Sequence, residues 1–144
     1  MNKNEHKTPQ KDLEGIISIT AKGVGYVVVP DRDEDLEIAE EKTGVALHGD
    51  TVLVKLLGKG FRRPQGEVVK VISRRKETFV GTIILDKGKR VFMADDRKVN
   101  IPFSVPQETT PDYKVLVKLV SWTNKKELPK AEILQVIGKK GDNN

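Results

Sequence analysis

The sequence contains no cysteine. Disulfides and thiolate metal centres are therefore excluded, and a reducing compartment is permitted. Histidine occurs only as His6 and His48, too few for a histidine-rich metal site. Aromatic residues make up 5% of the 144 residues, so the core must come mainly from Val, Ile and Leu, whose β-branched members favour strands. No apolar run approaches the roughly 20 residues that span a bilayer. The polar stretch Met1 to Lys11 lacks the apolar segment of a secretory signal. A cytoplasmic location without membrane contact is the expectation. The length suits one ordinary domain or two very small ones.

What is present is charge, at 33% of residues and a net +5. A solvated surface explains such a balance as readily as a polyanionic partner does, so its distribution carries more information. Basic residues cluster at Lys59-Gly60-Phe61-Arg62-Arg63, Arg74-Arg75-Lys76, Lys87-Gly88-Lys89-Arg90 and Lys125-Lys126, and acid is concentrated between Asp31 and Glu41.

An internal repeat organises the chain. Val52-Leu53-Val54-Lys55-Leu56 recurs unchanged as Val115-Leu116-Val117-Lys118-Leu119, and Glu67 to Ile72 recurs conservatively as Glu132 to Ile137. Gly15-Ile16-Ile17 anticipates Gly81-Thr82-Ile83-Ile84, Asp50 and Asp112 each precede the Val-Leu-Val run, and paired cations follow at Arg74-Arg75 and Lys139-Lys140. Two ordered copies suggest two small, similar domains rather than a solenoid, which needs three or more repeats. Alternating β-rich segments bounded by Gly and Pro predict strands over 14–20, 25–30, 35–38, 51–57 and 66–73, then 79–86, 90–95, 98–102, 114–121 and 131–137. A helical turn is expected between Ala39 and Leu47. The fold class is all-β, with two tandem five-stranded OB-type barrels over residues 13–76 and 77–138 and disordered tails at 1–12 and 139–144.

Several residues suit a nucleic-acid strand. In Lys22-Gly23-Val24-Gly25-Tyr26 the cation offers charge, the glycines offer room for a sugar–phosphate backbone, and Tyr26 offers a stacking face. A glycine-containing hairpin with a half-buried tyrosine explains the same pattern. Lys59, Phe61, Arg62 and Arg63 combine a ring with cations on the loop between the fourth and fifth strands, where OB domains often grip their ligands. Lys89 and Arg90 repeat the theme beside Phe92, which is open to a core role, and Trp122 is open between a barrel plug and a stacking platform. His48, in Leu47-His48-Gly49-Asp50, reads as structural. The run Asp31-Arg32-Asp33-Glu34-Asp35 reads as a solvated loop, since a catalytic two-metal site needs carboxylates from several elements. No catalytic, metal or cofactor site is expected among these residues.

Gly15-Ile16, Lys22-Gly23-Val24-Gly25-Tyr26-Val27, Asp35-Leu36-Glu37-Ile38, Ala46-Leu47-His48-Gly49-Asp50 and Gly66-Glu67-Val68 resemble the first cold-shock domain of the bacterial ribonuclease R and ribonuclease II exoribonuclease family. Val80-Gly81-Thr82, Asp95-Asp96-Arg97, Ile101-Pro102, Trp122 and Val136-Ile137-Gly138 resemble its second, more divergent one. The resemblance covers roughly residues 13–142. It implies a module that guides single-stranded RNA to a catalytic domain in cis, where Asp-bound Mg²⁺ supports degradation from the 3′ end. It also implies that this chain is a fragment of that enzyme. Val24 and Glu37 stand where cold-shock proteins usually place stacking aromatics, so the first barrel is expected to bind more weakly and more electrostatically. Two rival readings remain: a self-standing RNA chaperone, and a protein-interaction module. A monomer is expected.

Overall fold

The computed structural model describes residues 12–58 and 63–139. Two compact units divide the chain at Arg75/Lys76. The expected tails at 1–12 and 139–144 lie almost wholly outside the described residues.

In the first unit, β1 (Leu13–Ile19), β2 (Gly25–Val28), β3 (Leu36–Ile38), β4 (Thr51–Gly58) and β5 (Gln65–Ser73) close in the order β1-β2-β3-β5-β4. All neighbours are antiparallel except β3 and β5. A 3-10 turn at Glu40–Lys42 fills the connection from β3 to β4. Alternation along the strands aims Ile17, Val27, Leu36, Ile38, Val52 and Val54 inward, each fully buried. Closure leaves no long strand edge to pair with another chain.

The second unit repeats the plan with β6 (Thr78–Asp86), β7 (Lys89–Ala94), β8 (Phe103–Ser104), β9 (Tyr113–Ser121) and β10 (Lys130–Lys139), closed in the order β10-β8-β7-β6-β9. Its core is aromatic where the first is aliphatic. The Phe79 and Phe103 rings meet edge to face at 5.2 Å, and Phe92 stands 5.5 Å from Phe103. Phe92 is fully buried, which settles it as core.

The repeat is one of register as well as sequence. Gly15 pairs with Val52 on the neighbouring strand, and Gly81 pairs with Val115. A Cβ on Gly15 would fall on the Val28 carbonyl oxygen, and one on Gly81 would fall on that of Met93. Both glycines therefore let the first strand of a barrel press against the second.

Two expectations need correction. The third strand of the second barrel is Phe103–Ser104, not 98–102. Residues 98–102 form a connection in which Val99 is buried as a loop residue, with its N–H donating to the Asp96 carbonyl. The strand itself is only two residues long and lies between Pro102 and Pro106, so it leaves almost no alternating pattern to detect. Asp112 is likewise not the counterpart of Asp50. Its N–H donates to the Ile83 carbonyl at 2.7 Å, as that of Gly49 does to Ile17 at 2.8 Å. Gly49 and Asp112 both have positive φ, +90° and +70°, a region that aspartate tolerates better than most non-glycine residues.

Candidate nucleic-acid interface

Outward-facing side chains of β1, β2, β3 and β5 form a row across the first barrel: Ser18, Tyr26, Glu37 and Gln65. Tyr26 is half-buried on β2, directly opposite Glu37. The Arg63 guanidinium lies 5.5 Å from the Tyr26 ring centroid, within cation–π range. Gln65 Nε2 donates to Glu37 Oε1 at 3.0 Å and to the Arg63 carbonyl at 3.3 Å. The tertiary structure thus assembles Tyr26 and Arg63, 37 residues apart in sequence, into one cation–aromatic pair flanked by a carboxylate. Lys22 is exposed in the β1–β2 turn. Lys59, Phe61 and Arg62 lie outside the described residues.

The two glycines beside Tyr26 do not clear a path for a ligand. Gly25 is buried, and a Cβ there would meet Ile17 Cδ1 at 2.8 Å, so its small size serves the core. A Cβ on Gly23 would meet the Glu40 side chain at 2.9 Å. Proximity in sequence suggested an open groove, but the barrel turns one glycine inward and places an acidic residue over the other.

The corresponding row of the second barrel is Ile84, Val91, Ser104 and Lys130, by the same pairings. A further hydrogen bond fixes the match. The Glu37 N–H donates to the Pro64 carbonyl at 2.9 Å, and the Ser104 N–H donates to that of Pro129 at 2.7 Å. Glu37 is therefore replaced by a hydroxyl and Gln65 by a cation. Lys89 is exposed and Arg90 half-buried at the start of β7. The Gln107 amide grips the Arg90 backbone, its Oε1 accepting from the Arg90 N–H at 3.0 Å and its Nε2 donating to the Arg90 carbonyl at 2.9 Å. Sequence reasoning did not single out Ser104, Gln107 or Lys130. Each acquires its role only from a neighbour distant in sequence.

Trp122 is 9% exposed. Its indole N–H is shared between the Asn124 and Glu127 carbonyls, at 3.0 and 2.9 Å. It acts as a plug that fixes the β9–β10 loop, not as an open stacking platform.

The Leu47-His48-Gly49-Asp50 element is structural. Asp50 is 1% exposed. Its Oδ2 accepts from the Leu47 N–H at 2.8 Å and from Arg74 Nη1 at 2.7 Å, and its Oδ1 accepts from the Arg75 N–H at 3.0 Å. His48 Nδ1 accepts from the Ile19 N–H at 3.0 Å, which requires that nitrogen to be unprotonated. The element latches the end of β5 and the end of β1 to the start of β4. Asp31 to Glu34 are exposed between β2 and β3. Among the described residues no cluster of three or more metal-ligating side chains occurs and no helix is long and apolar enough to cross a membrane.

Two closed barrels of this strand order, each with one open face bearing cations, define a tandem OB-fold protein. Residues 15–71 match the family model of the ribonuclease B OB domain, and residues 92–144 match that of the cold shock domain. The chain thus carries tandem OB-type domains similar to those of ribonuclease R. Ribonuclease R of Thermotoga maritima is 31% identical over 134 residues, which is 89% of this chain and 19% of that protein. The chain therefore spans about a fifth of the length of that relative. Mycoplasma genitalium RNase R, solved in complex with ribose-methylated single-stranded RNA, superimposes with a TM-score of 0.77 at 20% identity, covering 90% of this chain and 22% of that one. Yeast Ssd1, described as a pseudonuclease, gives 0.75 at 19% identity, covering 92% and 23%. The same pair of barrels thus accompanies both a nuclease and a pseudonuclease, so the fold by itself does not specify cleavage.

Proposed function

We propose that this chain binds single-stranded RNA and, in the cytoplasm, guides it to a ribonuclease R-type catalytic domain in cis. The observation that carries the reading is the Tyr26–Arg63 pair on the open face of an OB barrel, a ring and a cation 5.5 Å apart. Base stacking on an aromatic side chain combined with cationic contact to the backbone is the physical basis of sequence-tolerant single-strand binding. Lys22 adds positive charge to the first barrel, Lys89 and Arg90 add it to the second, and the segment bearing Lys59, Phe61 and Arg62 follows β4 in sequence. The module acts as a monomer, with no catalytic group or cofactor of its own. Mg²⁺ chemistry belongs to the catalytic domain it would serve.

The test is a fluorescence-anisotropy titration of an oligo-uridine strand at several salt concentrations, with its duplex as control. Single-strand affinity that falls linearly in log–log form with salt is expected. Salt-independent affinity, or equal affinity for the duplex, overturns the reading. Pure chain incubated with labelled RNA and Mg²⁺ should leave the strand intact.

A further inference from the structure

The second barrel carries a cavity of about 400 Å³ between the start of β7, β8 and the β9–β10 loop. That size lies within the roughly 300–1,000 Å³ of small-molecule sites. Lys89, Arg90 and Lys130 line it with positive charge, Ser104 adds a hydroxyl, and Trp122 and Leu128 supply apolar wall. The lining also includes one carboxylate residue, Glu127. Arg90 Nε is buried and has no hydrogen-bond partner, and it is the one such side-chain atom among the described residues. A buried donor without an acceptor is costly, and a charged donor more so.

We infer that this cavity is a seat for a single phosphate-bearing nucleotide, with its phosphate on Arg90, Lys89 and Lys130 and its base against the Trp122–Leu128 wall. The inference rests on the RNA-binding reading but goes further, because it assigns the anchoring position to the second barrel. The argument is the paired rows. At the places where the first barrel has Glu37 and Gln65, the second has Ser104 and Lys130. One face therefore presents a carboxylate to an approaching phosphate, and the other presents a hydroxyl and an ammonium. A charge-assisted bond from guanidinium to phosphate is among the stronger hydrogen bonds available. The stacking ring of the first barrel, Tyr26, has Val91 as its counterpart, so the second barrel must hold a base by enclosure rather than on an open platform.

The chain's sole tryptophan is Trp122, so its emission reports the cavity directly. The 144-residue chain is titrated with uridine 5′-monophosphate, uridine and inorganic phosphate separately, and with oligo-uridine by anisotropy. A saturable change of emission with the nucleotide is expected, with uridine and phosphate at least about tenfold weaker. Arg90→Gln and, independently, Lys130→Gln should each weaken the nucleotide about tenfold. Lys130 is exposed, so its variant remains decisive if Arg90→Gln fails to fold. No response to the nucleotide up to about 10 mM, phosphate binding as tightly as the nucleotide, or nucleotide affinity unmoved in a folded Lys130→Gln protein each overturns the inference. If oligo-uridine binds and the mononucleotide does not, the cavity assignment falls while RNA binding stands. If only the mononucleotide binds, the cavity stands and the RNA reading falls.

Discussion

The Asp50 carboxylate holds the Arg74 guanidinium at 2.7 Å, with the aspartate side chain 2% and the arginine side chain 15% exposed. Arg74 Nη1 also donates to the Val45 carbonyl at 2.7 Å. The pair therefore closes the first barrel's last strand onto the residues that precede β4. Its members are 24 positions apart, and little water reaches them to replace a lost partner.

Asp50→Ala should destabilise the first barrel by about 3–5 kcal/mol, because it strands a partly buried cation and two backbone N–H groups. Amide hydrogen exchange should accelerate across β1 to β5 while β6 to β10 keep their protection. Uniform acceleration in both barrels, or none, contradicts this account of the latch.

Gly15→Ala and Gly81→Ala should each cost more than about 2 kcal/mol, since the new methyl group lands on a backbone carbonyl that cannot rotate away. Gly138→Ala, where nothing lies within 4 Å of the added atom, should stay within about 0.5 kcal/mol of the parent. Urea denaturation of the three variants decides the matter, and equal losses at all three positions would falsify the register argument.

Glu37→Ser with Gln65→Lys copies the second barrel's row onto the first. It removes one repelling carboxylate and adds one cation beside Tyr26. RNA affinity should rise, and the slope of log K against log salt should steepen by roughly 0.7 for each additional phosphate neutralised. Conversely, Arg62→Ala with Arg63→Ala should flatten the slope by up to about 1.4. Phe61→Ala should lower affinity by roughly 1–3 kcal/mol with little change of slope. Tyr26→Ala should cost less than Phe61→Ala, because Glu37 stands opposite its ring. A larger loss at Tyr26 would move the main stacking position from Phe61 to Tyr26 on β2.

Residues 1–75 and 76–144 should each fold when expressed separately, because each barrel closes on its own strands. A first segment ending at Ser73 should be much less stable than one ending at Arg75, since it lacks the partners of Asp50. Amide NMR dispersion of the three fragments provides the measurement. Collapsed spectra for both halves ending or starting at residues 75 and 76 would show that neither barrel closes alone.

Much of the fold was legible because β-structure writes a two-residue period and a duplicated domain writes it twice. Val52 to Leu56 and Val115 to Leu119 announced the fourth strands, and the matching glycines announced the first. The two-residue strand Phe103–Ser104 stayed hidden, since a segment that short has no period. Asp50 and Asp112 looked equivalent in sequence because spacing cannot distinguish a carboxylate used as an acceptor from a backbone site needing positive φ. Local chemistry in the sequence determined which residues prefer strands, which are charged and that the unit occurs twice. Only closure of the barrels decided the rest. It set Arg63 over Tyr26, turned Gly25 and Phe92 inward, made Trp122 a plug, and brought Arg90 and Lys130 to one cavity. Those outcomes depend on residues far apart in the chain, and burial and partner choice exist only once the strands have met.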